Sequence, residues 1–313
     1  MNINIYFMKN HILTITLLLL STFIQAQKIE QVFLDKEDKT KNYYTKIYPS
    51  HLSWNGYLVL IPGFGESAEK VMLETDLPLL AAKSGMLVII PCLQDGVLSF
   101  GVDKTSQSIL GQIIEDVRSK HKLMDQRFFI GGFSIGGSTA IKYAQETITK
   151  PHAVFAIDPP LDFERFYNSS QREIRLSGID NASEDSVYMI DKIEEVMGGT
   201  PATALEAFYS TSPYSFTDKN QIAVKKFGQL PLRIYTEPDV NWWIDERGED
   251  LTSMNATESS AFINELRRLG NEQATLITTA NKGYRMNAQL RHPHSWTIVN
   301  TQELIQWLLA SDK

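Results

Sequence analysis

The sequence predicts an α/β fold, with a mostly parallel sheet of about eight strands, helices on both faces and a helical insertion over one end. Three observations lead to it. First, the runs at residues 57–62, 86–91, 127–133, 153–158, 231–236 and 274–280 have strand length and are continuously apolar, as strands buried on both faces are. Second, amphipathic stretches at about 67–84, 105–121, 135–148, 257–269 and 297–311 alternate with these runs, and such alternation builds parallel sheets. Third, the segment from about Phe163 to Gly228 breaks the rhythm: it is long and charged, with helical patterns at 187–197 and 203–208. A stretch of that length is seldom structureless within a compact domain, so a helical cap is expected over 163–228, closed by Ser212-Pro213-Tyr214-Ser215.

In chain order, Lys9 is followed by an apolar run from Ile12 to Leu20 and then by small and polar residues up to Ala26, the pattern of a secretory signal peptide over 1–26. About a dozen apolar residues fall short of the roughly 20 that cross a bilayer. No stable membrane anchor is therefore expected after cleavage, and no cysteine follows Ala26 at once to carry a lipid. The expected destination is the periplasm or the extracellular space. Residues 27–313 form one catalytic domain in this reading, and the weaker alternating segments at 30–34 and 43–48 pair as an antiparallel edge ahead of the first parallel strand.

Composition narrows the function. Charged residues make up 21% and hydrophobic ones 43%, and a net charge of −7 speaks against nucleic acid or an anionic membrane as partner. The single cysteine, Cys92, ends an apolar run, so the fold is held by its core and not by disulfides, and the thiol is read as buried and inert. No His-Glu-x-x-His or comparable ligand spacing occurs, and neither a metal nor a cofactor is expected.

The chemistry is concentrated between Arg127 and Ala140, where a strand runs into Gly131-Gly132-Phe133-Ser134-Ile135-Gly136-Gly137 and a helix begins. Presenting a serine hydroxyl at the end of a strand requires a sharp turn, and side chains two residues to either side would collide within it. Gly132 and Gly136 occupy those two positions. Here the chain resembles the α/β-hydrolase superfamily, through motif order from about Tyr43 to Leu309 more than through identity. The resemblance implies Ser134 as nucleophile, followed in the chain by an acid and then a histidine.

For the acid, Thr236-Glu237-Pro238-Asp239 follows the strand at 231–236, and Asp239 is preferred, with Glu237 and Asp158 as alternatives. Among the histidines, His11 leaves with the signal peptide, His121 and His152 precede strands, and His51 lies in the early antiparallel region. His292 and His294 follow the last strand, and His294, just before the final helix, is preferred as general base. The resemblance further implies an oxyanion hole from the backbone N–H of Ile135 and that of Phe64, in Pro62-Gly63-Phe64-Gly65. Trp242, Trp243 and Trp296, with Phe100 and Tyr214, are expected to wall the substrate site, and Glu66 to receive a cationic amine or to act only on its helix N-terminus. The expected activity is hydrolysis of small carboxylic esters through an acyl-enzyme. A serine peptidase acting on short peptides is the alternative, and a catalytically inactive binding protein is the alternative from another class.

Overall fold

The computed structural model describes residues 27–50, 54–178 and 184–311; the expected signal peptide and His51 lie outside the described residues. Eight strands form the sheet: β1 (Ile29–Phe33), β2 (Tyr43–Ile47), β3 (Gly56–Ile61), β4 (Met86–Cys92), β5 (Phe128–Phe133), β6 (Ala153–Ile157), β7 (Leu232–Thr236) and β8 (Ala274–Thr278). Their spatial order is β1-β2-β4-β3-β5-β6-β7-β8. The first two pairings, β1 with β2 and β2 with β4, are antiparallel, and from β4 to β8 every pairing is parallel.

Successive side chains of a strand point to opposite faces, and here both faces are covered. Val59, Ile61, Ile89 and Ile130 pack with Leu110, Ile113, Phe262 and Leu266 on one side. Leu58, Leu60, Val88, Ile90 and Phe129 pack with Val71, Ala81, Leu304 and Leu308 on the other. The helices that supply these residues are α1 (Ala68–Glu74), α2 (Leu77–Lys83), α3 (Lys104–His121), α10 (Asn255–Arg268) and α11 (Thr301–Ala310), while α4 (Ile135–Glu146) follows β5 directly. The stretch read as one helix over 67–84 is two, because the chain turns extended at Thr75 and restarts with Pro78 in the first turn of α2. Proline fits a first helical turn, where its missing N–H costs nothing, and would break a continuous helix.

The expected cap consists of α5 (Phe163–Ser177), α6 (Glu184–Met197), α7 (Leu205–Thr211) and α8 (Ile222–Phe227). Phe163, Tyr167, Met189, Ile193, Met197 and Phe208 from three of these helices bury themselves with Phe100, Val102 and Ile135 of the body. Phe100 therefore does not wall the substrate site; it is fully buried against Phe163, with ring centroids 4.9 Å apart. Tyr214 likewise belongs to the main core, beside Phe262. An ion pair pins the cap to the body: Arg165 of α5 donates from Nε to Glu258 Oε2 at 2.6 Å and from Nη2 to Glu258 Oε1 at 2.8 Å. Its remaining donors reach Ser253 O and Asn255 Oδ1, both at 2.8 Å.

Two elements were not expected. Helix α9 (Val240–Arg247) buries none of its residues, so it carries no apolar stripe that a sequence would reveal. The hairpin of β9 (Tyr284–Arg285) and β10 (Leu290–Arg291) has strands of two residues, too short for any alternation to register. Among the described residues no helix is long and apolar enough to cross a membrane.

Candidate active site

Ser134 stands between β5 and α4 with φ 53° and ψ −127°, a backbone conformation that side-chain-bearing residues seldom adopt. Its N–H donates to Ile157 O at 2.8 Å, which ties the turn to β6. The flanking glycines are required by contact: a Cβ on Gly132 would stand 2.5 Å from Ile61 O, and one on Gly136 would stand 2.3 Å from both Ile61 O and Pro62 O. Neither neighbour can yield, since all are backbone of β3 and the loop after it.

The acid nearest the histidine is Asp158, at the end of β6. His294 Nδ1 lies 2.6 Å from Asp158 Oδ2. The other carboxylate oxygen, Oδ1, accepts the Thr236 hydroxyl at 2.7 Å. The Asp158 backbone is fixed as well, with φ 47°, its N–H on Tyr235 O at 2.7 Å and its carbonyl accepting Asn255 Nδ2 at 2.9 Å. An ionised carboxylate only accepts hydrogen bonds, so the imidazole proton belongs on Nδ1 and the free lone pair on Nε2. His294 packs against the Phe133 ring at 4.5 Å, and it lines one cavity of about 480 Å³ together with Ser134 and Asp158.

Asp239, the preferred acid of the sequence, does not meet His294. Its Oδ1 caps α9 by accepting from Trp242 N–H at 3.2 Å, and its Oδ2 takes Arg291 Nη2 at 2.8 Å. Glu237 is buried and committed too: it accepts from Thr279 Oγ1, Lys282 N–H and Gly283 N–H at 2.9, 2.9 and 3.1 Å, and its Oε1 lies 2.6 Å from Arg291 Nη2. Arg291 also donates from Nη1 to Gly283 O at 2.8 Å. Two of the three carboxylates that the sequence offered as orienting acids, Glu237 and Asp239, thus clamp the segment leading to the histidine, three residues before it.

The remaining candidates divide. Ile135 opens α4, so its N–H lacks an acceptor within the helix. In the loop after β3, Gly63 N–H goes to Glu66 Oε2 at 2.9 Å, Gly65 N–H to Val97 O at 2.8 Å and Glu66 N–H to Gly63 O at 3.1 Å. Among the described residues the Phe64 N–H is the one donor of this turn without a protein acceptor. Glu66 is not available as an amine receptor in the way the sequence suggested: it is buried, and Trp296 Nε1 donates to its Oε2 at 3.0 Å. Burial pushes its carboxyl upward, opposed by the hydrogen bonds from Trp296 and Gly63. Trp296 is itself only 1% exposed and lies under Phe133 at 5.3 Å, so it supports the serine turn and walls no substrate site. Trp243 does line the cavity, and Trp242 packs on Trp243 and on His292.

His292, the alternative base, packs at a tilt against Trp242, with ring centroids 4.7 Å apart, and its Nδ1 is buried without a partner among the described residues. Burial, reinforced by the charge of Arg285, drives its pKa down to about 3. The unfolded chain takes up this proton near 6.5, whereas the native protein refuses it until about 3, so protons favour unfolding across that window. Stability in denaturant titrations is therefore expected to fall as pH drops from about 6.5 toward 3, and His292→Gln should flatten that slope.

Among the described residues no group of three or more His, Cys, Asp or Glu could hold a metal ion. No family model matches the sequence, and no curated protein does. Solved structures do. An acylaminoacyl peptidase from Pyrococcus horikoshii aligns over 94% of this chain with a TM-score of 0.59 at 14% identity, and the chain spans 43% of that protein's length. An S-formylglutathione hydrolase from Agrobacterium tumefaciens aligns over 91% of this chain and 95% of its own, with a TM-score of 0.57 at 13% identity. A soluble variant of the monoglyceride lipase from Saccharomyces cerevisiae, solved with a substrate analogue, aligns over 93% and 98% with a TM-score of 0.57 at 14% identity.

Proposed function

The chain has the α/β-hydrolase fold, and from that premise we propose that it is a serine hydrolase of carboxylic esters, exported through its N-terminal segment, with Ser134 as nucleophile, His294 as general base and Asp158 as orienting acid. The observation that carries the reading is the 2.6 Å contact of His294 Nδ1 with Asp158 Oδ2 beside a serine held in a strained strand-to-helix turn. In this mechanism Nε2 of His294 takes the Ser134 proton as Oγ bonds to the ester carbonyl carbon. Asp158 holds the ring and stabilises the imidazolium so formed. The carbonyl oxygen, now negative, accepts from Ile135 N–H and Phe64 N–H, donors fixed before the reaction begins. Collapse breaks the bond to the alcohol, which leaves with the proton from Nε2. Water then adds to the acyl-enzyme with the same histidine as base, and the acid departs as Ser134 recovers its proton.

Ester cleavage is favoured over peptide cleavage by coverage: the S-formylglutathione hydrolase and the monoglyceride lipase match this chain over nearly their whole lengths, while the peptidase has more than twice its extent. A fluorophosphonate probe tests the enzyme reading. Labelling that disappears in Ser134→Ala is expected, and folded protein that takes no label would leave the inactive binding protein as the better account. Turnover of p-nitrophenyl esters beside aminoacyl and dipeptidyl anilides then separates esterase from peptidase.

Glu66 supplies a further check. Because it accepts both Gly63 N–H and Trp296 Nε1, it fixes the loop that carries Phe64 to the support beneath Phe133. Losing an oxyanion donor outright lowers kcat by about 10²–10³-fold. Glu66→Ala, which frees the loop without deleting the donor, is expected to lower kcat by about tenfold or more, read with a p-nitrophenyl ester.

A further inference from the structure

Besides the residues assigned above, the cavity contains a cation that they do not use. Arg285 of β9 lines it together with Ser134 and His294. The Arg285 side chain is 28% exposed. Its guanidinium carbon lies 5.3 Å from the centroid of Phe133, the ring that also packs on His294. Its nearest carboxylate is Glu66, at 4.0 Å, beyond hydrogen-bond reach. That carboxylate already receives Gly63 N–H and Trp296 Nε1. Glu74, whose charge also reaches Arg285, accepts Met286 N–H at 2.8 Å and stands within 4.0 Å of Lys70. Among the described residues the guanidinium donates no hydrogen bond.

A guanidinium remains charged under all ordinary conditions, and its planar fork matches a carboxylate in two parallel hydrogen bonds. Holding one largely out of water with its donors unspent is costly unless a partner arrives. From this we propose that Arg285 binds a carboxylate carried by the substrate, so that the preferred esters have an anionic group besides the scissile bond. The proposal rests on the hydrolase reading of the same cavity.

The carboxylates that share the cavity oppose this less than their number suggests. Glu237 is spent on Arg291 and the 279–283 turn. Burial, with the charge of Glu173, pushes the Glu249 carboxyl up to about 7, which lessens its negative charge around neutral pH. Arg247, also in the cavity wall, adds a second positive charge.

The test compares length-matched esters, mono-p-nitrophenyl adipate against p-nitrophenyl hexanoate, using the purified protein. The adipate is expected to have the higher kcat/KM by about tenfold to a hundredfold, expressed mainly in KM. Arg285→Gln should collapse that ratio to near one, and Arg285→Lys should retain part of it. A second pair, 4-acetoxybenzoate and phenyl acetate, moves the carboxylate to the leaving group; preference for the anion in either pair supports the proposal. Equal use of anionic and neutral esters in both pairs would overturn it, as would a variant that slows both members of a pair alike. Binding is read separately in Ser134→Ala, where monomethyl adipate but not methyl hexanoate should raise the melting temperature, and the added Arg285→Gln should cancel the rise. Absent fluorophosphonate labelling with this shift intact would sink the hydrolase reading alone, and labelling without the shift would sink the carboxylate site alone.

Discussion

Asp158→Asn is expected to lower kcat by about 10⁴-fold with little change in fold, while Asp239→Asn should cost no more than about fivefold. The asymmetry follows from what each oxygen touches. An asparagine at 158 still receives the Thr236 hydroxyl through its carbonyl, so the loop after β6 keeps its shape. Its amide then faces His294 Nδ1 as a donor, which forces the ring into the tautomer whose Nε2 carries a proton and can no longer accept one from Ser134. At 239 an asparagine still caps α9, and only the partly exposed contact with Arg291 weakens. Steady-state kinetics of the two variants on one p-nitrophenyl ester decides between them. Comparable losses at both positions, or a larger loss at 239, would remove Asp158 from its proposed role.

Arg165→Ala is expected to destabilise the protein by about 3–5 kcal/mol, measured from the midpoint of urea unfolding. Glu258 is buried beneath the cap, and its carboxyl is pushed upward by burial and held down chiefly by the Arg165 charge. Removing the guanidinium leaves that carboxylate with the Leu161 N–H and no counter-charge. A paired apolar replacement, Arg165→Met with Glu258→Leu, should recover part of the loss by removing both charges together. Recovery stays partial because Ser253 O and Leu161 N–H then lack their side-chain partners. Since Asn255 sits between Arg165 and the Asp158 carbonyl, kcat on the ester is also expected to fall in Arg165→Ala more than stability alone explains.

The sheet and the turn at Ser134 were legible because their signals are local. Strands β3 to β6 bury every residue and therefore read as unbroken apolar runs, and the serine turn needs glycine at two positions for reasons confined to a few residues. Which carboxylate meets His294 was not legible. Asp158, Glu237 and Asp239 all follow parallel strands, and a one-dimensional pattern cannot tell which carboxylate faces the imidazole. What distinguishes Asp158 is a positive φ and the hydroxyl of Thr236 on the neighbouring strand, and a pair of prolines after it reads equally well as a plain turn. Arg291 was the overlooked signal: a lone arginine directly before His292-Pro293-His294 needed acidic partners, and Glu237 with Asp239 supplies them. Trp296, Phe100 and Tyr214 misled for a related reason, since an aromatic that props a site from below is indistinguishable in sequence from one that faces the ligand.

Ser134 and Asp158, the proposed nucleophile and orienting acid, follow adjacent strands whose pairing of Gly132 with Ala156 and Phe133 with Ile157 runs up to the two residues themselves. Their spacing is set by the register of that ladder, which the Ser134 N–H extends by donating to Ile157 O at 2.8 Å. The imidazole arrives instead on the short ribbon from 283 to 294, which Arg291 latches to Glu237 and Asp239. Substitutions confined to that ribbon would shift the imidazole while the ladder carrying residues 134 and 158 stayed untouched.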